Sequence, residues 1–142
     1  MPVREQTLTA DEVSVGDELA ELEIPITRTL IVAGAIASRD YQDVHHDAQL
    51  AVERGSKDIF MNILTSNGLV GRFVTDWAGP GAVLKSVSIR LGAPNYPGDT
   101  MLLSGRVEEV APPHVRVAIR GANSLGDHVT GTVEITLPQR DG

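Results

Sequence analysis

The sequence predicts an α+β domain in which an antiparallel sheet curls around one long helix. Up to residue 78, hydrophobic side chains recur mainly at helical spacing, and from Val83 onward they alternate with the two-residue period of strands. Helices followed by a run of strands indicate an α+β fold with an antiparallel sheet. The apolar stripe of the long helix and the apolar face of the sheet are most simply buried against each other.

A single domain accounts for the whole chain. Its 142 residues match the size of common domains, and a chain of this size buries about two-thirds of its unfolded surface. No repeat, low-complexity tract or linker divides residues 1–142. We expect the ends, residues 1–9 and 139–142, to be loose.

The first elements predicted are a strand over residues 19–26 and a helix over residues 29–38. Pro25 favours extended geometry in the residue before it. Thr27 or Thr29 then offers a hydroxyl that can cap the helix. The predicted buried face of this helix carries Leu30, Ala33 and Ala37.

A polar loop over residues 39–46 and a short helix over residues 47–54 come next. Asp47 suits the N-cap of that helix, because its carboxylate can accept from a free backbone N–H. Gly55 suits the position just beyond the helix, where the left-handed conformation favours glycine.

The long helix is predicted over residues 62–78, with residues 79–81 (GPG) ending it. Its predicted buried face carries Ile63, Ser66, Val70, Phe73, Val74 and Trp77. Gly68 and Gly71 each lower helix propensity by about 1 kcal/mol relative to alanine. We therefore expect another element to pack closely against these glycines.

Four strands are predicted in the second half of the chain, joined by turns near residues 95–99, 112–113 and 124–127. Their apolar positions are Val83, Val87, Ile89 and Leu91, then Met101, Leu103 and Val107, then Val115, Val117 and Ile119, then Val129, Val133, Ile135 and Leu137.

Composition excludes several functions. The chain has no cysteine, which rules out disulfides and thiolate metal sites. A formal net charge of −7 argues against a nucleic-acid partner. The polar N-terminus and the lack of an apolar run of about 18 residues lead us to expect a cytoplasmic protein without a membrane span. A polyanionic ligand would need only a local patch, which could come from Arg39, Arg54, Lys57, Arg72, Lys85 and Arg90.

The polar loop contains Asp40 and His45, a carboxylate and an imidazole that together could hydrogen-bond one water molecule and transfer its protons. Taken alone, such a pair is more often solvated than catalytic. His45, His46 and Asp47 also raise the idea of a metal site. We predict none, because no third convergent ligand is visible, Asp47 suits a cap, and His46 is expected to face solvent or a partner.

Four further residues have types or positions that could indicate a role. His114 and His128 stand at strand starts and are expected at the surface, and Trp77 is expected in the core or an interface. Asn67, in the middle of the long helix, faces either a substrate tunnel or an interface, and the sequence does not choose between them.

Three stretches together resemble the MaoC-like (R)-specific enoyl-CoA hydratases, a branch of the hot-dog fold. Residues 15–17 (VGD) resemble the family's opening turn, and residues 93–100 (APNYPGDT) resemble its turn between two sheet strands. Residues 40–45 (DYQDVH) resemble its Asp-x-Asn-Pro-x-His hydratase motif. Residues 39–47 and 55–60 further resemble the small subunit of actinobacterial steroid side-chain hydratases.

The resemblance implies a hot-dog domain that hydrates the unsaturated side chain of a steroid-CoA ester. It implies a second MaoC-like chain as partner, with a homodimer as the alternative, and no cofactor besides the CoA thioester substrate. Asp40 and His45 would activate the water, and a backbone N–H near Ile63 would bind the thioester oxygen. Asn62 and Asn67 are further candidates for substrate binding.

Two departures from the family pattern stand out. The Asn-Pro of the motif is replaced by Gln42 and Asp43, and the His-Gly that often opens the central helix is replaced by Asn62 and Ile63. Two other functions remain open: a non-catalytic partner subunit of a heteromeric hydratase, and an acyl-CoA thioesterase. Thioesterases of this fold usually carry their acid on the central helix, where this chain offers only Asp76, near the far end.

Overall fold

A computed structural model describes residues 3–140 of the chain. Its elements are β1 (Glu18–Pro25), α1 (Arg28–Ala37), α2 (Ala48–Glu53), α3 (Ile63–Ala78), β2 (Val83–Leu91), β3 (Thr100–Ala111), β4 (His114–Asn123) and β5 (Gly126–Thr136), with 3₁₀ turns at Ala10–Glu12 and Asp43–His45. This order confirms the predicted α+β class. Of the two threonines predicted as possible caps of α1, Thr27 forms the cap, and the cap predicted at Asp47 is also formed; in each case a side-chain oxygen accepts a backbone N–H.

The sheet is antiparallel, with its five strands in the order β1-β3-β4-β5-β2. Helix α3 contacts both edge strands, β1 and β2, as well as β5. A flat sheet could not touch one helix from both of its edges, so the sheet curls around α3. This is the arrangement that the hot-dog resemblance predicted.

The core lies between α3 and the concave face of the sheet. Val70, Phe73 and Val74 on α3 are fully buried, and Trp77 is 8% exposed, in agreement with the predicted face. Ile63 was wrongly included in that face, because its side chain is 50% exposed. It occupies the first helical position, beyond the margin of the sheet's concave surface.

The buried face of α1 was predicted correctly at Leu30, which is partly buried against the core, but wrongly at its other two positions. Ile31 and Ala35, one turn apart, are fully buried, whereas Ala33 and Ala37 are exposed. Small and aliphatic residues occupy nearly every position of this helix, so hydrophobicity alone does not mark one face. Tertiary packing selects the face.

Close packing occurs at Gly34 of α1 rather than at the two glycines of α3. Around Gly68 a Cβ would meet no atom within 4 Å, and at Gly71 it would make only an ordinary contact with Leu84. A Cβ on Gly34, in contrast, would overlap the side chain of Thr65 in the first turn of α3. The absence of a side chain at Gly34 therefore lets α1 approach α3 closely.

The segment before the first 3₁₀ turn is bound to the end of α3, although we expected it to be loose. Arg4 N–H donates to the Asp76 carbonyl over 3.0 Å, and Leu8 N–H donates to the Ala78 carbonyl over 2.8 Å. These bonds satisfy carbonyls that the helix itself leaves free at its C-terminus. Residues 1–2 and 141–142, also expected to be loose, lie outside the described residues.

Within residues 3–140, no helix is long and apolar enough to span a bilayer.

We expect Gly34→Ala to lower the free energy of unfolding by about 1–3 kcal/mol, because overpacking forces α1 and α3 apart. Gly68→Ala is the matched control, since the same methyl group enters open space and improves helix propensity by about 1 kcal/mol. Urea unfolding of both variants measures the effect. Equal stability of the two variants would contradict the close-packing account.

Candidate active site

Asp40 is positioned by the way in which α1 ends. The Arg39 N–H donates to the Ile36 carbonyl, and the Asp40 N–H donates to the Ala35 carbonyl over 2.9 Å. This bond pattern is a Schellman motif, which requires a left-handed residue just past the helix. Arg39 takes that conformation with φ of 57°, a position where glycine is usual. The motif turns the chain sharply and sends Asp40 back toward α3.

His45 is held from the opposite side by the segment that leads into α3. Its Nδ1 lies 2.7 Å from the Phe60 carbonyl oxygen, and its ring meets the Phe60 ring edge-on with centroids 4.9 Å apart. A carbonyl can only accept, so Nδ1 carries the proton. In the neutral imidazole, Nε2 is therefore the lone-pair nitrogen. His45 is 6% exposed, which leaves its orientation little freedom.

The structure brings the two predicted residues together. Asp40 Oδ2 lies 3.5 Å from His45 Nε2. That separation is too long for a direct charged hydrogen bond, which typically spans about 2.7–2.9 Å. The carboxylate and the imidazole lone pair are thus adjacent without being bonded to each other, and both can accept from one molecule placed between them.

Asn62 bridges Asp40 and the start of α3. Its Nδ2 donates to Asp40 Oδ2 over 3.1 Å and to Ser38 Oγ over 2.9 Å. Its Oδ1 caps α3 by accepting from the Thr65 N–H over 3.1 Å. These bonds occupy the side-chain amide, so the structure gives Asn62 a different place from the substrate contact that we expected.

The remaining two candidates differ in their positions. Ile63 is the first residue of α3, where backbone N–H groups have no partner within the helix. Its N–H therefore remains a candidate donor beside the Asp40–His45 pair. Asn67 is half-buried and, in the part of the chain that the structure describes, makes no hydrogen bond to Asp40, His45 or Asn62.

The middle of the loop, where Gln42 and Asp43 replace the family's Asn-Pro, is held by an ion pair. Asp43 contacts Arg54 of the α2 end through both carboxylate oxygens, at 2.6 and 2.8 Å. The hydrogen bonds from the Arg54 guanidinium hold the pKa of the Asp43 carboxyl below its usual 3.8. A bidentate pair of this kind restrains loop geometry, as a proline ring would by fixing φ.

The environment of His128 was predicted wrongly from the sequence. It is 2% exposed rather than at the surface, and its Nδ1 lies 2.7 Å from the Ala93 carbonyl oxygen. Its Nε2 lies 2.7 Å from the Oγ of Ser66 in α3. The alternating pattern of β5 starts at Val129, and nothing in that pattern showed that the residue before it is also covered.

Some of the basic residues that were proposed to bind a polyanionic ligand form ion pairs with carboxylates of the protein. Arg54 binds Asp43, and Arg72 lies 3.3 Å from Asp76. Lys57 Nζ sits 5.6 Å from the centroid of the Tyr96 ring. Among residues 3–140, no group of three or more His, Cys, Asp or Glu side chains is arranged to hold a metal ion.

Comparison with known proteins identifies the family of the chain. No family model matches the chain. The 3-oxo-4,17-pregnadiene-20-carboxyl-CoA hydratase beta subunit of Mycobacterium tuberculosis is 54% identical over 123 residues, covering 87% of this chain and 95% of that protein.

Solved structures of hydratases resemble this fold. A chain of the ChsH1–ChsH2 complex from Mycobacterium tuberculosis superposes with a TM-score of 0.86 at 54% identity, covering 87% of this chain and 98% of that chain. The unliganded R-hydratase PhaJ1 from Pseudomonas aeruginosa superposes with a TM-score of 0.87 at 28% identity, covering 96% of this chain and 89% of that chain. The chain therefore belongs to the MaoC-like hot-dog enoyl-CoA hydratases, as its motifs predicted.

His128 should make stability depend on pH. Burial lowers the pKa of His128 below its ordinary 6.5, against a smaller opposing effect of the hydrogen bond to Ala93. Below about pH 6.5 the unfolded chain takes up a proton that the folded protein resists, so stability falls as pH falls. We expect His128→Gln to lose less unfolding free energy than the wild type between about pH 7.5 and pH 5. Urea unfolding at each pH measures this, and identical slopes would contradict it.

Proposed function

We propose that this chain is the catalytic subunit of a heteromeric hydratase that adds water across the α,β-double bond of a steroid side-chain enoyl-CoA. The observation that carries the proposal is the placement of Asp40 Oδ2 and His45 Nε2 3.5 Å apart, beside the N-terminus of α3. The pair supplies proton acceptors, and the helix terminus supplies backbone donors. Hydration of a conjugated thioester needs both.

Water activation follows from the lone pairs that the two side chains present. A carboxylate oxygen of Asp40 and the Nε2 of His45 can each accept a hydrogen bond. A water between them directs one proton to each acceptor, which leaves an oxygen lone pair facing the β-carbon of the substrate. As the C–O bond forms, His45 Nε2 takes a proton from the water. The pair then returns a proton to the α-carbon on the same face, so one hydroxyl and one hydrogen are added.

Charge developing on the thioester oxygen would be stabilised at the start of α3. The partial positive charge of a helix N-terminus and its free N–H groups favour an anionic oxygen. Ile63 N–H is the donor we assign, because Asn62, the preceding residue, contacts Asp40 directly. This chemistry uses the substrate, one water molecule and groups of the protein itself, so the proposal includes no cofactor.

Two observations support a heteromer acting on a steroid. The relative that is 54% identical to this chain is named as the beta subunit of a 3-oxo-4,17-pregnadiene-20-carboxyl-CoA hydratase. A solved structure that is also 54% identical to this chain is a chain of the ChsH1–ChsH2 complex. Here β2 is an edge strand whose Val83 and Leu84 are 50% and 44% exposed. A partner covering this edge would bury them.

We propose a cytoplasmic location, since acyl-CoA esters are intracellular metabolites.

The structure disfavours the thioesterase alternative. Asp76, the acid that α3 offers, lies in the last turn of the helix and pairs with Arg72 at 3.3 Å. Asp40 and His45 lie at the opposite end of the same helix. An attacking water at Asp76 would therefore have neither the imidazole nor the helix N-terminus beside it.

We expect Asp40→Asn and His45→Ala each to lower kcat by about 10²–10⁴-fold in the complex with the native partner, because each removes a proton acceptor for the water. The measurement is loss or gain of enoyl-CoA absorbance, with free thiol release followed in parallel. His114→Ala, at the exposed start of β4, is the control and should retain activity. Near wild-type kcat in either site variant would remove this chain from the catalytic role, and thiol release would indicate a thioesterase.

Substrate and partner are tested together. We expect the chain to co-purify from its native host with a second hot-dog protein, and the complex to hydrate a steroid side-chain enoyl-CoA with higher kcat/KM than crotonyl-CoA. The physical reason is that a bulky acyl group needs the space that two unlike domains provide. Preference for crotonyl-CoA would remove the steroid assignment and leave the hydratase, and a pure homodimer with full activity would remove the heteromer.

A further inference from the structure

The Asn62 side chain uses all of its hydrogen-bonding capacity within the protein. It is 2% exposed, and its two N–H groups go to Asp40 Oδ2 and Ser38 Oγ. Its oxygen accepts from both the backbone N–H and the hydroxyl of Thr65. A residue in this state has no side-chain hydrogen-bonding atom left for a substrate, yet it contacts the Asp40 carboxylate and is itself the N-cap of the helix at the proposed oxyanion site.

We propose that Asn62 is a positioning residue, which fixes Asp40 relative to His45 and to the first turn of α3. The inference rests on the proposed function and extends it. Through Asn62, the group that handles the protons of water and the backbone that receives the oxyanion become one rigid unit. Catalysis depends on this kind of fixed geometry, and a misplacement of about 1 Å can cost about 10²-fold in rate.

The hydrogen bonds of the network explain why asparagine suits the position. Asp40 in its ionised form only accepts, so its Oδ2 needs a donor, which the amide supplies. Ser38 donates its hydroxyl proton to the Gly34 carbonyl over 2.7 Å, so its lone pair is free for the second amide proton. Aspartate at position 62 could cap α3 but could not donate, and serine could not reach both acceptors while capping.

The other contact of the Asp40 carboxylate is weaker. Its Oδ1 accepts from the Gln42 N–H at 3.4 Å, near the limit of a hydrogen bond. Without the Asn62 amide, the carboxylate would be free to rotate about its Cβ–Cγ bond, and Oδ2 would no longer be held 3.5 Å from His45 Nε2. Because Asn62 does not touch the substrate, its loss should change kcat rather than KM.

The test compares Asn62→Asp and Asn62→Ser in the complex with its partner. Both residues are good N-caps, so α3 should keep its start. We expect kcat to fall about 10²-fold in each variant with KM changed by less than about threefold. In Asn62→Asp alone, the acidic limb of the kcat/KM profile should move to higher pH, because the substitution adds negative charge beside the proton-handling pair. Thr27→Ala, which removes the cap of α1, should leave kcat and the profile unchanged.

A second measurement needs no change at position 62 and so does not depend on the variants folding. In the wild type, the side-chain ¹⁵N–¹H resonances of Asn62 should move when the pH is lowered, and this movement should be lost in Asp40→Asn. The outcomes separate the two claims. Full activity of Asp40→Asn would overturn the proposed function. The positioning role alone would be overturned if Asp40→Asn and His45→Ala were inactive while both Asn62 variants kept the wild-type kcat. It would also be overturned if the Asn62 resonances responded to pH in the same way in Asp40→Asn as in the wild type.

Discussion

The contact between α1 and the first turn of α3 is the constraint on which the site depends. Gly34 lacks a side chain where Thr65 approaches, so the two helices lie closer than any other residue at position 34 would allow. At that distance Ser38, at the end of α1, reaches the amide of Asn62. The Schellman turn that follows then brings Asp40 to the same amide. A small change in helix separation would break all of these bonds together.

The two halves of the proton-handling pair are anchored by different means. Asp40 is fixed by backbone geometry at a helix end and by one side-chain amide, whereas His45 is fixed by the carbonyl and ring of Phe60. The loop between them is tied to α2 by the Asp43–Arg54 pair. This division explains how the motif can differ from its relatives at Gln42 and Asp43 and still place its two ends side by side.

Polar groups buried around the start of α3 form satisfied networks. The described part of the chain holds no buried side-chain nitrogen or oxygen atom without a hydrogen-bond partner. Ser66 and His128 link α3 to β5, and Asn62 links it to α1. Such networks hold an element in one position, since an unmade bond in a low-dielectric interior is costly. The N-terminus of α3 is proposed to bind the thioester oxygen, and a rigid helix would keep its N–H groups in position for that bond.

The α+β class, the element order, the cap at Asp47 and the proximity of Asp40 and His45 could be predicted from the sequence, because period, caps and motifs are local signals. The sequence also carried the family likeness that the comparisons confirm. The tertiary structure was needed to establish which of Thr27 and Thr29 caps α1, which face of α1 is buried, where helices approach closely, and that His128 is enclosed. It also showed that the Asn62 amide turns toward Asp40. These features depend on residues distant in the chain meeting in space, and no pattern within one segment records which partner a side chain will find.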